Sequence, residues 1–211
     1  MKNEKQLRLL TADDPALVEA YNDIRSNLLA RLGMRPGTVG EHICPVACVT
    51  TVGKHRDQRE LPVNLAISFA RLGLRVLLVD ADYRGVGIAP ALGVEAAPGL
   101  AEALTSAVKP HATVVEGLSL LPRGQYQGNP ADLVGSADMI RYLDACRADH
   151  DVIFVALPPA GKYAEAATLA PRTNGVIVGV TPRADKRAAV TGTLESLHAV
   201  GADLLGLVSV L

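Results

Sequence analysis

The chain has 211 residues, 49% of them hydrophobic, which is enough to build a substantial core in one domain. Its 21 basic and 22 acidic residues leave a formal net charge of -1, so no bulk field draws in nucleic acid or repels anions, and any binding must be local. Cys44, Cys48 and Cys146 form no CxxC pair and have no His at ligand spacing; they read as buried thiols of a reducing compartment, not as disulfides or metal ligands.

The opening run MKNEKQLRLL is charged and lacks the apolar stretch of a signal peptide. The longest apolar runs, GVIVGV at 175–180 and LLGLV at 204–208, fall far short of the roughly 20 residues a membrane helix needs. A cytoplasmic protein with no direct membrane insertion is expected. Two Phe, five Tyr and no Trp argue against a stacking platform for single-stranded nucleic acid.

Along the chain, residues 15–32 place Leu17, Tyr21, Ile24, Leu28 and Leu32 at helical spacing behind the capping residues Asp13 and Asp14 and beside Pro15, which predicts an amphipathic helical arm. Residues 33–42 are rich in Gly and Pro and read as a linker, giving an arm and linker over 1–40 and an α/β domain over 41–211. Strands are expected near 43–50, 75–80, 117–121, 151–156, 175–181 and 204–209. Helices are expected near 61–73, 99–107, 132–148, 163–170 and 186–200. This alternation predicts a single doubly wound, mostly parallel sheet with helices on both faces. Ligands of such sheets sit beyond the carboxyl ends of the strands, so the loops following 51, 81, 122, 157 and 182 are the places to look for chemistry.

The runs RVLLVDADYRG at 75–85, PGLAEAL at 98–104, LPRGQYQGNPADLVGS at 121–136 and DVIFVALPP at 151–159, in this order and spacing, resemble the bacterial tyrosine kinases, a branch of the MinD/ParA-type P-loop ATPases. The resemblance covers nearly the whole chain. It implies a P-loop NTPase-like fold and a role in polymerisation and export of exopolysaccharide, capsule or holdfast-type polysaccharide. It also implies a partner, a polysaccharide co-polymerase or chain-length regulator at the inner membrane, which would hold the chain peripherally at the inner face. Family members carry E-x-x-R-x-x-R in a helix that docks into a neighbouring subunit. Here Glu19 and Arg25 match and Asn22 replaces the middle Arg, so the resemblance implies an oligomer interface through the arm. An apolar arm left without a neighbour would favour self-association.

A P-loop wraps phosphates with backbone N–H groups, needs Gly where the ligand comes close, and adds a Lys on the β/γ-phosphates and a Ser/Thr on Mg²⁺. Counted back from Asn64-Leu65-Ala66, the GxGKST positions fall on His55, Arg56, Asp57, Gln58, Arg59 and Glu60, with no Gly, Lys or Ser/Thr where one is required. Loss of the Lys and two Gly would weaken ATP binding by about 5 kcal/mol, several thousand-fold. Gly53 and Lys54 spell a displaced GK, but a shifted loop would need Gly in place of Cys48 and Ser/Thr in place of His55. Lys54, Arg56 and Arg59 could hold a lone anion; a solvated charged loop is the blander alternative.

The family's Walker B carboxylate, which orders Mg²⁺ through water, falls on Ala156, and its adenine-reading Asn falls on Val210. Asp80 and Asp82 remain as remnants of the acidic pair that helps activate the acceptor tyrosine. Their structural alternative is to accept bonds from loop N–H groups or to pair with Arg84. ATP and Mg²⁺ binding is expected to be lost or very weak, with no metal site and no confident catalytic residue. The expected role is a non-catalytic docking or regulatory subunit, a pseudokinase. Two alternatives stand beside it: a tyrosine kinase that binds nucleotide through a rebuilt loop, and a MinD/ParA-like positioning protein, which would want a basic patch or tail.

Overall fold

A computed structural model of the chain describes residues 14–35, 43–53 and 57–210. The elements are α1 (Pro15–Arg31), β1 (Val46–Thr51), α2 (Glu60–Ala70), β2 (Val76–Asp80), a 3₁₀ turn (Ala89–Leu92), α3 (Leu100–Ala103), β3 (His111–Ala112), β4 (Leu118–Leu121), α4 (Pro130–Gly135), α5 (Ala137–Cys146), β5 (Val152–Ala156), α6 (Glu165–Leu169), β6 (Val176–Val180), α7 (Arg187–Ala199) and β7 (Leu204–Ser209). The seven strands form one sheet in the order β3-β4-β2-β5-β1-β6-β7, parallel throughout except for the short β3, which runs antiparallel to β4. This is the doubly wound, mostly parallel arrangement that the sequence pattern predicts, of the P-loop NTPase-like kind that the resemblance implies.

The central strands β1, β2 and β5 are apolar nearly end to end because helices cover both their faces. One core layer packs α1 and α2 on the sheet, with Phe69 of α2 set edge-on to Phe154 of β5 at 5.0 Å between ring centroids. The other packs α4 to α7 on the opposite face. All eleven residues of α2 are buried, as befits a helix sandwiched between the sheet and α1.

Three local differences from the sequence reading have physical causes. The helix expected over 132–148 is two helices, since Ser136 adopts an extended backbone and its Oγ accepts from Met139 N at 3.1 Å, capping α5. The helix expected over 99–107 is the single turn α3, whose Glu102 reaches back to Gly99 N at 2.8 Å and to Gln125 N at 3.0 Å, tying it to the loop after β4. The arm is no free arm: Tyr21 and Leu28 of α1 and the following Leu32 are buried in the α2 layer, and no large apolar side chain of α1 is strongly exposed. The apolar patch expected to drive self-association is thus covered by the chain itself. Among the described residues no helix is long and apolar enough to cross a membrane.

Candidate functional site

The carboxyl ends of β1, β2 and β5 converge on the first turn of α2, where a P-loop would hold phosphate. A helix N-terminus offers unpaired N–H groups and the positive end of the macrodipole to an anion. Here, among the described residues, no side chain caps the first turn of α2, but a carboxylate stands just before it, paired with the N-cap residue Arg59. Asp57 Oδ1 accepts from Arg59 N at 3.1 Å, and the Arg59 guanidinium closes a two-pronged ion pair on the same carboxylate, Nε to Oδ1 at 2.8 Å and Nη2 to Oδ2 at 2.5 Å. Burial alone would raise the Asp57 pKa, but the bonds from the Arg59 side chain and backbone and the guanidinium charge hold it below the ordinary value.

Arg59 also donates to Gly87 O at 3.3 Å, tying the mouth of α2 to the loop after β2, and Gln58 Nε2 donates to Gly53 O at 3.4 Å. Glu60, at the start of α2, is buried. Lys54, His55 and Arg56 lie outside the described residues. The crevice bounded by Asp57, Gln58, Thr181 and Val210 encloses only about 10 Å³, room for one water at most.

The acidic pair is committed to the backbone. Asp80 is 1% exposed; its Oδ1 accepts from Asp82 N at 3.2 Å and its Oδ2 from Ile88 N at 2.8 Å. Burial pushes its carboxyl up to about 6, against the pull of those two N–H groups and of Arg123. Asp82 Oδ1 accepts from Arg84 N and Gly85 N, both at 2.9 Å. A side chain at Gly85 would place its Cβ 2.5 Å from Asp82 Oδ2, so the carboxylate would have to shift to make room for one. Of the two structural expectations for the pair, bonds from loop N–H groups are present. The pairing with Arg84 is made through its backbone, because its guanidinium Nε goes instead to Glu165 Oε1 at 3.1 Å.

Ala156 is in register between Val49 of β1 and Asp80 of β2 and is 3% exposed. Asp80 therefore faces a methyl group where the resemblance places a second carboxylate.

Two features escaped the sequence reading. Arg123 Nη1 donates to Asp82 O at 3.0 Å and to Gly85 O at 2.9 Å, while Tyr83 Oη donates to Arg123 O at 2.5 Å, so the loops after β2 and β4 are stapled together. Glu165 is 1% exposed, and its Oε2 is buried without a hydrogen-bond partner. Both link residues some 40 to 80 positions apart; no local pattern announces them. On α1, Glu19 is exposed and Asn22 half-buried. Arg25, expected at an oligomer interface, turns inward and donates to Ser68 O at 2.7 Å on α2.

No family model matches the chain. EpsB of Ralstonia solanacearum is 29% identical over 197 residues, which cover 92% of this chain and 24% of EpsB, so the chain spans about a quarter of that relative's length. The tyrosine-protein kinase CpsD of Streptococcus pneumoniae serotype 4 is 30% identical over 172 residues, covering 77% of this chain and 74% of CpsD. Among solved structures, the BceF tyrosine kinase domain superposes with a TM-score of 0.79 at 24% identity, over 97% of this chain and 83% of that domain, and shares the fold.

Proposed function

Because the chain belongs to the bacterial tyrosine-protein kinase family, we propose that it is a non-catalytic member of it, a docking or regulatory subunit for a membrane polysaccharide co-polymerase in exopolysaccharide, capsule or holdfast-type polysaccharide synthesis. The observation that carries this reading is the Asp57 carboxylate, clamped by Arg59 at the mouth of α2. A triphosphate would have to displace it and would meet its charge. The surroundings agree. The crevice toward Val210 is narrow, and Ala156 gives a metal nothing to bind. Both oxygens of Asp80 and Oδ1 of Asp82 accept from four backbone N–H groups. These residues do not fit Mg²⁺-ATP, and no phosphoryl transfer is routed through them. With catalysis set aside, the retained fold serves to present an outer surface to a partner.

The test is incubation of the full chain with Mg²⁺-ATP labelled at the γ-phosphate, a tyrosine-rich peptide, and the cytoplasmic segment of a polysaccharide co-polymerase from the same cell. No label on tyrosine, together with a nucleotide-independent complex with that segment, is the expected result. Label on tyrosine overturns the proposal in favour of the kinase with a rebuilt loop, and no complex overturns its docking role.

A further inference from the structure

Among the described residues β7 is the last strand of the sheet, paired with β6 on one side only. Edge strands of this kind are usually guarded by a charge, a Pro or a covering element, because their free N–H and C=O groups template pairing with another chain. The β7 run LLGLVS carries neither charge nor Pro. Val210 N donates back to Val180 O of β6. Alternation along a parallel strand then turns the N–H and C=O of Leu207 and Ser209 to the open edge. Leu205, Val208 and Val210 point into the α1/α2 core layer, whereas Leu204 is 39% and Leu207 50% exposed.

The charge on α1 says what would cover this edge. The helix lies antiparallel to β7. Its first half, Ala16 to Tyr21, lines a pocket with Val208, Ser209 and Val210, and Arg31 in its last turn reaches Leu204 O at 3.5 Å. The exposed charges are divided along it, Glu19 and Asp23 in the first half and Arg31 at the end. A two-fold axis through Leu207 would pair β7 antiparallel with its copy, Leu207 opposite Leu207, each giving and accepting an N–H···O bond. The same axis brings the acidic half of one α1 alongside the basic end of the other. The edge strand is thus self-complementary in backbone, apolar side chains and charge, as an isologous interface requires.

We infer that the β7 edge is a self-association surface on which a second copy of this chain forms an antiparallel two-fold dimer, continuing the seven-stranded sheet into fourteen strands. The contact is small, one strand and the flank of one helix per copy, so the dimer is weak and concentration-dependent. It uses neither the α2 mouth nor any nucleotide, and stands or falls separately from the proposed function.

Sedimentation velocity on the full chain, from low micromolar to submillimolar concentration, tests it, with circular dichroism checking that each variant is folded. A reversible dimer is expected, weakened by salt. Leu207→Lys should weaken it by roughly 10-fold or more, because it sets two like charges directly opposite. Arg31→Glu, or Glu19→Lys with Asp23→Lys, should weaken it severalfold, and the three charge reversals together should restore it. A monomer at every concentration, an assembly larger than two, a dimer indifferent to Leu207→Lys, or charge variants that do not restore one another would each overturn the inference.

Discussion

Asp57 at the mouth of α2 and Asp80 at the end of β2 are carboxylates on the same end of the sheet, joined through Arg59 and the Gly87 carbonyl, yet their protons are held in opposite ways. Asp57 is partly exposed and gripped by a guanidinium, so its charged form is favoured. Asp80 is sealed among β-strands with Ala156 in register, and burial outweighs the two N–H groups it accepts from, pushing it up to about 6. A carboxylate position inherited from a catalytic scaffold carries no fixed role: a clamped guanidinium favours the charged form of one, and burial that outweighs the pull of Arg123 makes the other a group that protonates near neutrality.

The largest effect should come from making the two regions alike. Ala156→Asp places a second carboxylate beside Asp80 in a buried register position, and should cost about 3 to 4 kcal/mol in urea denaturation at neutral pH. Millimolar Mg²⁺ should not restore it; recovery with Mg²⁺ would mean that a metal site survives.

Next is the pH dependence set by Asp80. Its folded pKa lies above the unfolded value near 4, so between about pH 4 and 6 the native state alone keeps the proton. Stability should therefore fall as pH rises through that window, by on the order of 2 to 3 kcal/mol, and stay lower above it. Denaturation midpoints measured across the window should flatten in Asp80→Asn.

The smallest effect is at Asp57, where the sign reverses. A depressed folded pKa contributes stability above the unfolded value that is lost as pH falls through the folded one. Arg59→Ala should cost about 1 kcal/mol at neutral pH and abolish that acid-side loss, read from the same denaturation series.

Much of this was legible in the chain. The parallel strands announce themselves as unbroken apolar runs, and Asp57 and Arg59 stand out as wrong residues for a P-loop. Their pairing with each other was not legible, because two opposite charges two residues apart read equally well as a solvated loop. Arg123 was invisible because its acceptors are backbone carbonyls on another loop, and carbonyls leave no mark in a sequence. The cover over α1 was missed because an amphipathic helix shows that it has a partner, not whether that partner is its own α2. Ser136 was passed over inside a helical pattern, although a Ser followed three residues later by an apolar run is a helix start.

The central claim is that the chain's own carboxylate stands at the phosphate seat of α2, and calorimetric titration of the full chain with Mg²⁺-ATP and Mg²⁺-ADP into the millimolar range tests it most directly. The account predicts no saturable heat. Saturable binding at micromolar nucleotide would contradict it, since Asp57 and Arg59 would then have to part at a cost the nucleotide readily meets.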